Sequence, residues 1–125
     1  MTPTAVKLHK GAGSLELSYD GDGIHLSGEF LRVHSPSAEV RGHGPGEEVL
    51  QQGKKGVKIS ALEPAGHYAL LLHFDDGHST GIYSWEYLKE LCDNQETFWQ
   101  AYLDKLNEAG LSRDPEEKAL KFFTP

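Results

Sequence analysis

The chain alternates apolar and polar residues in its first two thirds and shifts to a helical spacing in its last third. Leu15-Glu16-Leu17-Ser18-Tyr19 has the period of two that belongs to a half-buried strand. Asp20-Gly21-Asp22-Gly23 is turn chemistry, and Ile24-His25-Leu26-Ser27 returns as the partner strand of a hairpin. Val57 to Leu62 alternates again before Pro64-Ala65-Gly66 breaks the pattern. His67 to Phe74 is the most continuous apolar run and predicts a central strand, followed by a tight turn at Asp75-Asp76-Gly77-His78 and a strand at Ser79 to Tyr83. From Ser84, an N-cap, the spacing becomes three and four: Trp85, Leu88, Leu91 and Cys92 share one face. A second helix, capped by Asp93 or Asn94, runs to about Ala109 with Phe98, Tyr102, Leu106 and Ala109 on one stripe, and Gly110 ends it. Strands first and helices last predict an α+β fold, an antiparallel meander or small sheet with two C-terminal helices packed on it.

Between the strand-rich parts lies the least generic stretch, Phe30 to Gly46. Ser35-Pro36-Ser37-Ala38-Glu39 can open a short helix in the 35–42 loop, with Ser35 as N-cap, Pro36 at its first position and Glu39 near the free N–H groups. Gly42 to Gly46 stops it. The organisation expected is a flexible arm over 1–12, a single globular domain over 13–110 and a partly ordered tail over 111–125. An extended piece is expected at Ala5 to Leu8, and a short helix at Pro115 to Leu120.

Composition narrows the function classes. A length of 125 residues fits one domain with a real core. The net charge of -7 opposes a nucleic-acid partner, which needs a clustered positive face. No apolar run approaches a membrane span, and the N-terminus lacks an apolar signal region. A single cysteine, Cys92, suits a reducing compartment, so a cytoplasmic location is expected.

Several kinds of chemistry are weighed and set aside. The Asp20-Gly21-Asp22 turn lacks the remaining ligands of a calcium loop. His73-Phe74-Asp75 has the His-x-Asp spacing of an iron facial triad, but no histidine follows His78. Gly53-Lys54-Lys55 lacks the earlier glycine and the hydroxyl of a phosphate loop. Cys92 falls on an apolar helix stripe, as an inert buried thiol does. Seven histidines remain, read either as scattered structural imidazoles or as a set that converges on a metal.

Three blocks together resemble a known family. They are Leu15 to Gly21, then Leu31-Arg32-Val33-His34-Ser35-Pro36-Ser37-Ala38-Glu39-Val40-Arg41-Gly42-His43-Gly44, then Asp76-Gly77-His78 with Ile82-Tyr83-Ser84-Trp85-Glu86-Tyr87-Leu88. The chain resembles a bacterial stand-alone member of the gamma-butyrobetaine hydroxylase-like N-terminal domain family over roughly residues 13–92. The family's biochemical role is unsettled. Its relatives precede iron/2-oxoglutarate oxygenase domains or accompany ATPases of iron–sulfur assembly. The resemblance therefore implies a non-enzymatic binding or adaptor module with an unidentified protein partner, associated with iron–sulfur protein maturation.

The oxygenase members bind zinc through three cysteines and one histidine. Carried over, the cysteine positions fall here on Ser35, Ser37 and Val40, and the histidine on His78. Neutral hydroxyls are poor zinc ligands and valine is none. Two expectations follow: a substitute zinc or iron site built from His34, His43 and His78, or hydrogen bonds and packing in place of a metal. The contact surface expected is the His34–Gly46 loop with the Gly77–Trp85 turn, and Arg32, Arg41, Trp85 and Trp99 are the partner-binding candidates.

Overall fold

In the computed structural model, which describes residues 1–115, the order is β1 Ala5–His9, β2 Ser14–Tyr19, β3 Asp22–Leu26, α1 Gly28–Val33, α2 Ala38–Arg41, β4 Ile59–Ala65, β5 Ala69–Phe74, β6 Ile82–Ser84, α3 Trp85–Asp93 and α4 Gln95–Ala109. The fold is α+β, as the sequence predicts. The strands form two antiparallel three-stranded sheets, β1-β2-β3 and β4-β5-β6, rather than one meander.

The alternation in β2 becomes burial: Leu15, Leu17 and Tyr19 point inward, while Glu16 and Ser18 do not. The extended piece at the N-terminus is β1, paired with β2 from Ala5↔Ser18 to His9↔Ser14. β5 is the central strand of its sheet, as its apolar run implies. β4 continues through Pro64 to Ala65 instead of breaking before it. It is an edge strand, where a residue without an N–H is tolerated.

Both sheets and α3 share one core. Leu17, Leu26, Leu31, Leu72, Tyr83 and Leu88 are among its fully enclosed or nearly enclosed members. Removing such side chains from water stabilises the fold by about 2 kcal/mol each. A second, smaller cluster of Val33, Tyr102 and Leu106 joins α1 to α4.

The helix ends follow the expected chemistry with two changes. Ser84 caps α3, its hydroxyl accepting from Tyr87 N–H at 3.1 Å, and Gly110 closes α4 in the left-handed region. Residues 28–33, for which no helix is expected from the sequence, form the helix α1, capped by Ser27. In α2 the N-cap is Ser37 and not Ser35, because the Ser35 hydroxyl is engaged elsewhere. After α4 the backbone docks on the loop before β4, with Gly53 N–H on Ser112 O and Lys55 N–H on Arg113 O, both 2.9 Å. Arg113 clamps the buried Glu29 carboxylate through two bonds of 2.7 Å. The helix expected from Pro115 to Leu120 lies outside the described residues apart from Pro115. No helix among the described residues is long and apolar enough to cross a membrane.

Candidate functional site

The segment from Leu31 to Gln51 is a long excursion between β3 and β4 that satisfies its own backbone only in part. Three tyrosines from other elements add donors. Tyr83 O–H donates to Leu31 O, Tyr87 O–H to His34 O at 2.6 Å, and Tyr102 O–H to Gln51 O at 2.7 Å. Burial holds all three phenols above their ordinary range, Tyr102 at about 12, so they remain donors at any working pH.

A polar clasp ties the same segment to the turn after β5. Ser35 Oγ lies 2.8 Å from His78 Nε2, and His78 Nδ1 lies 3.1 Å from Glu39 Oε2. Ser37 Oγ meets Thr80 Oγ1 at 2.8 Å, and Thr80 O–H donates to Glu39 Oε1 at 3.3 Å. Gly81 makes the approach possible, since a Cβ there would stand 2.5 Å from Ser35 Oγ. Burial lowers the His78 pKa, Arg32 lowers it further, and Glu39 and Asp76 act against them.

The hydroxyl–imidazole–carboxylate order of Ser35, His78 and Glu39 is that of a nucleophile relay. Its environment is not. Ser35 is 1% exposed, so a substrate carbonyl cannot reach its Oγ. The clasp joins the excursion to the β5–β6 turn.

The zinc implied by the resemblance does not fit this donor set. Ser35 Oγ and His78 Nε2 already satisfy one another, Ser37 Oγ is engaged by Thr80, and Val40 is a buried hydrocarbon. The ligand nitrogens of His34, His43 and His78 are not gathered within 4.8 Å of one another. His34 Nδ1 is bonded to Phe30 O at 2.8 Å, and its ring lies 4.5 Å from the Phe30 ring and 5.9 Å from that of Phe98. Burial lowers its pKa, consistent with a neutral, packed imidazole. His78 spends both nitrogens in the clasp, and His43 is exposed.

The partner-binding candidates separate. Arg32 is buried, its Nε–H 2.8 Å from Asp76 Oδ2 and its Nη1 3.2 Å from Gln51 Oε1. These bonds tie α1 to the β5–β6 turn and to the end of the excursion. Trp85 is half-buried, its indole N–H donating to His67 O at 2.8 Å. Trp99 packs against Phe30 and Tyr102, with the Arg113 guanidinium 5.0 Å above it. Arg41 remains exposed, its guanidinium 4.7 Å over the Tyr87 ring. Cys92 is buried and its thiol is pushed up to about 11, chiefly by burial, as an inert thiol requires.

A concave surface lies between the excursion and α4. It encloses about 610 Å³. Val33, Val40, Val49, Leu50, Phe98 and Tyr102 supply its apolar lining, and Arg41, Glu48 and Lys105 its charges. Reading the sequence alone misses Val49, Phe98 and Lys105 as one surface. Their juxtaposition depends on how α4 crosses the excursion, for which no local pattern exists. The helical stripe containing Phe98 and Tyr102 was the available signal, and it points equally to a core.

Comparisons with known proteins follow this geometry. Residues 6–89 match the family described as gamma-butyrobetaine hydroxylase-like, N-terminal. Two proteins with NMR solution structures are similar: one is 53% identical, with 91% of this chain and 90% of that chain covered and a TM-score of 0.80, and the other is 50% identical, with 91% and 86% covered and a TM-score of 0.76. A crystal structure of a DUF971 family protein of unknown function from Acidithiobacillus ferrooxidans is 36% identical over 72% of this chain and 91% of that one, with a TM-score of 0.58. No match was found among curated proteins. With two thirds of its length matched and the same architecture in its relatives, the chain belongs to the gamma-butyrobetaine hydroxylase-like N-terminal domain family.

Proposed function

We propose that the chain is a small non-enzymatic binding module whose docking surface is the groove between the Val33–Gln51 segment and α4. The occupant is a protein segment with apolar side chains and an acidic flank. The observation that carries this reading is the groove's composition: an apolar lining with two cations, Arg41 and Lys105, against one anion, Glu48, on a chain whose net charge is -7. A locally positive rim on an acidic protein selects for carboxylates beside the apolar contact. Val49 is 52% exposed at this surface, an apolar side chain held in water until covered. An adaptor role in iron–sulfur protein maturation is part of this proposal through family association.

Selection from a displayed peptide library tests it. Enriched peptides should pair apolar residues with Asp or Glu, and should shift the NMR signals of Val33, Val49 and Phe98. Val49→Asp and Lys105→Glu, both at exposed positions, should abolish that binding and leave the fold intact. Enriched peptides that map to another face, or bind these variants equally well, would overturn the reading.

A further inference from the structure

The outer face of β1-β2-β3 gathers three potential ligands outside the groove and the clasp. Glu16 pairs directly with His25 across β2 and β3. His9 closes β1 opposite Ser14, two residues before Glu16 and on the same face. Glu16 Oε1 is hydrogen-bonded to His9 Nε2 at 2.8 Å, and His25 Nε2 lies 3.6 Å from the same oxygen. The two rings have centroids 5.3 Å apart, inclined at 37°. All three ligand atoms lie within 4.8 Å of one another. Gly23 leaves room for the carboxylate, since a Cβ there would stand 2.3 Å from Glu16 Oε2.

We propose that His9, Glu16 and His25 form a surface site for a borderline divalent metal ion, with zinc as its representative. Two imidazoles and one carboxylate are the donor types such an ion takes, and three protein ligands leave a position for water. Two imidazoles converging on one carboxylate oxygen distinguish this group from an ordinary exposed acidic patch. Ligands about 2.1 Å from zinc on a tetrahedron stand about 3.4 Å apart. The 3.6 Å separation of His25 and Glu16 is close to that already, and the His9 contact of 2.8 Å needs to open by about 0.6 Å. Strand pairing fixes the three backbones, so binding needs side-chain adjustment alone. The imidazole side chains are 43% and 60% exposed, which admits an ion from solvent. Lys7, the other cross-strand neighbour of Glu16, is the cation an incoming metal has to outcompete.

The test is calorimetric titration of the full chain, without a histidine tag, with zinc chloride, mapped by NMR. One equivalent should bind, with shifts centred on His9, Glu16 and His25. His9→Ala, His25→Ala and Glu16→Gln should each weaken binding at least about tenfold, as loss of a ligand exceeds loss of an outer partner. His43→Ala should leave it unchanged. Matching thermal midpoints of the metal-free proteins will confirm that these variants are folded. Absence of saturable zinc binding, or binding that ignores the three substitutions, would overturn the proposal. Either result leaves the groove untouched.

Discussion

Ser35 and His78, separated by 43 positions in sequence, share a buried 2.8 Å hydrogen bond at the junction of the excursion and the β5–β6 turn. His78 is the histidine the resemblance assigns to zinc, and Ser35 stands at the first of the cysteine positions. In this chain the pair bonds directly, and the structure closes over the contact.

Ser35→Ala removes the partner of His78 Nε2 in a buried place. A cost of about 1–3 kcal/mol is expected, the range for leaving one buried polar group unsatisfied. Gly81→Ala should act on the same bond from the other side, because its Cβ would meet Ser35 Oγ at 2.5 Å and the Tyr83 ring at 3.1 Å. The two changes share a target, so the double variant should lose less than the sum of the singles. Chemical denaturation of the four proteins measures this, and full additivity would show that the bond is not what Gly81 protects.

Tyr87→Phe and Tyr102→Phe test the hydroxyls that hold the excursion. Each leaves a carbonyl, His34 O or Gln51 O, without its donor. Each should cost about 1–2 kcal/mol. The change should appear as faster amide exchange in residues 31–51 before it appears in the sheets. Uniform loss of protection across the chain would mean that the excursion is not a separate unit of stability.

Stability should fall in two stages as pH decreases. His34 and His78 are lowered from the ordinary 6.5, in both cases chiefly by burial. Such a histidine is neutral in the fold and binds a proton more readily when unfolded. Its contribution is complete above pH 6.5 and is lost as pH falls below that value toward the folded pKa. Burial works to raise the Asp76 carboxyl, but Lys54, Arg32 and the His78 N–H together hold it at about 2, against an ordinary 3.8. Its contribution is present above 3.8 and is lost as pH falls toward 2. Denaturation midpoints measured across this range should show both declines. Stability that rises from neutral pH to about pH 5 would contradict the first.

The sequence shows more of the fold than of the site, for a physical reason. β2, α3 and α4 carry a periodic pattern and β5 a continuous apolar run, each over five or more residues, and the structure places each close to where the sequence predicts. Gly110 ends α4 because a left-handed closing residue has a local signature. α1 was missed because Gly28-Glu29-Phe30-Leu31-Arg32-Val33 is too short for a period, and it is buried along its whole length. The Arg32–Asp76 ion pair is not legible because nothing near Arg32 in sequence signals a partner 44 positions away. The clasp is partly legible, since Ser35, Ser37 and His78 are the positions where the sequence leads one to expect hydrogen bonds in place of metal ligation. Glu39 and Thr80 complete it through long-range contacts that no spacing rule contains.

The measurement that tests the account most directly is a long-range ¹H–¹⁵N spectrum of the His78 imidazole in chelator-treated protein, compared with Ser35→Ala. The account predicts a folded protein with a neutral His78 ring, both of whose nitrogens are hydrogen-bonded, and a change at Nε2 when Ser35 is replaced. A segment 30–51 that is disordered without metal, or a His78 Nε2 indifferent to Ser35, would contradict it.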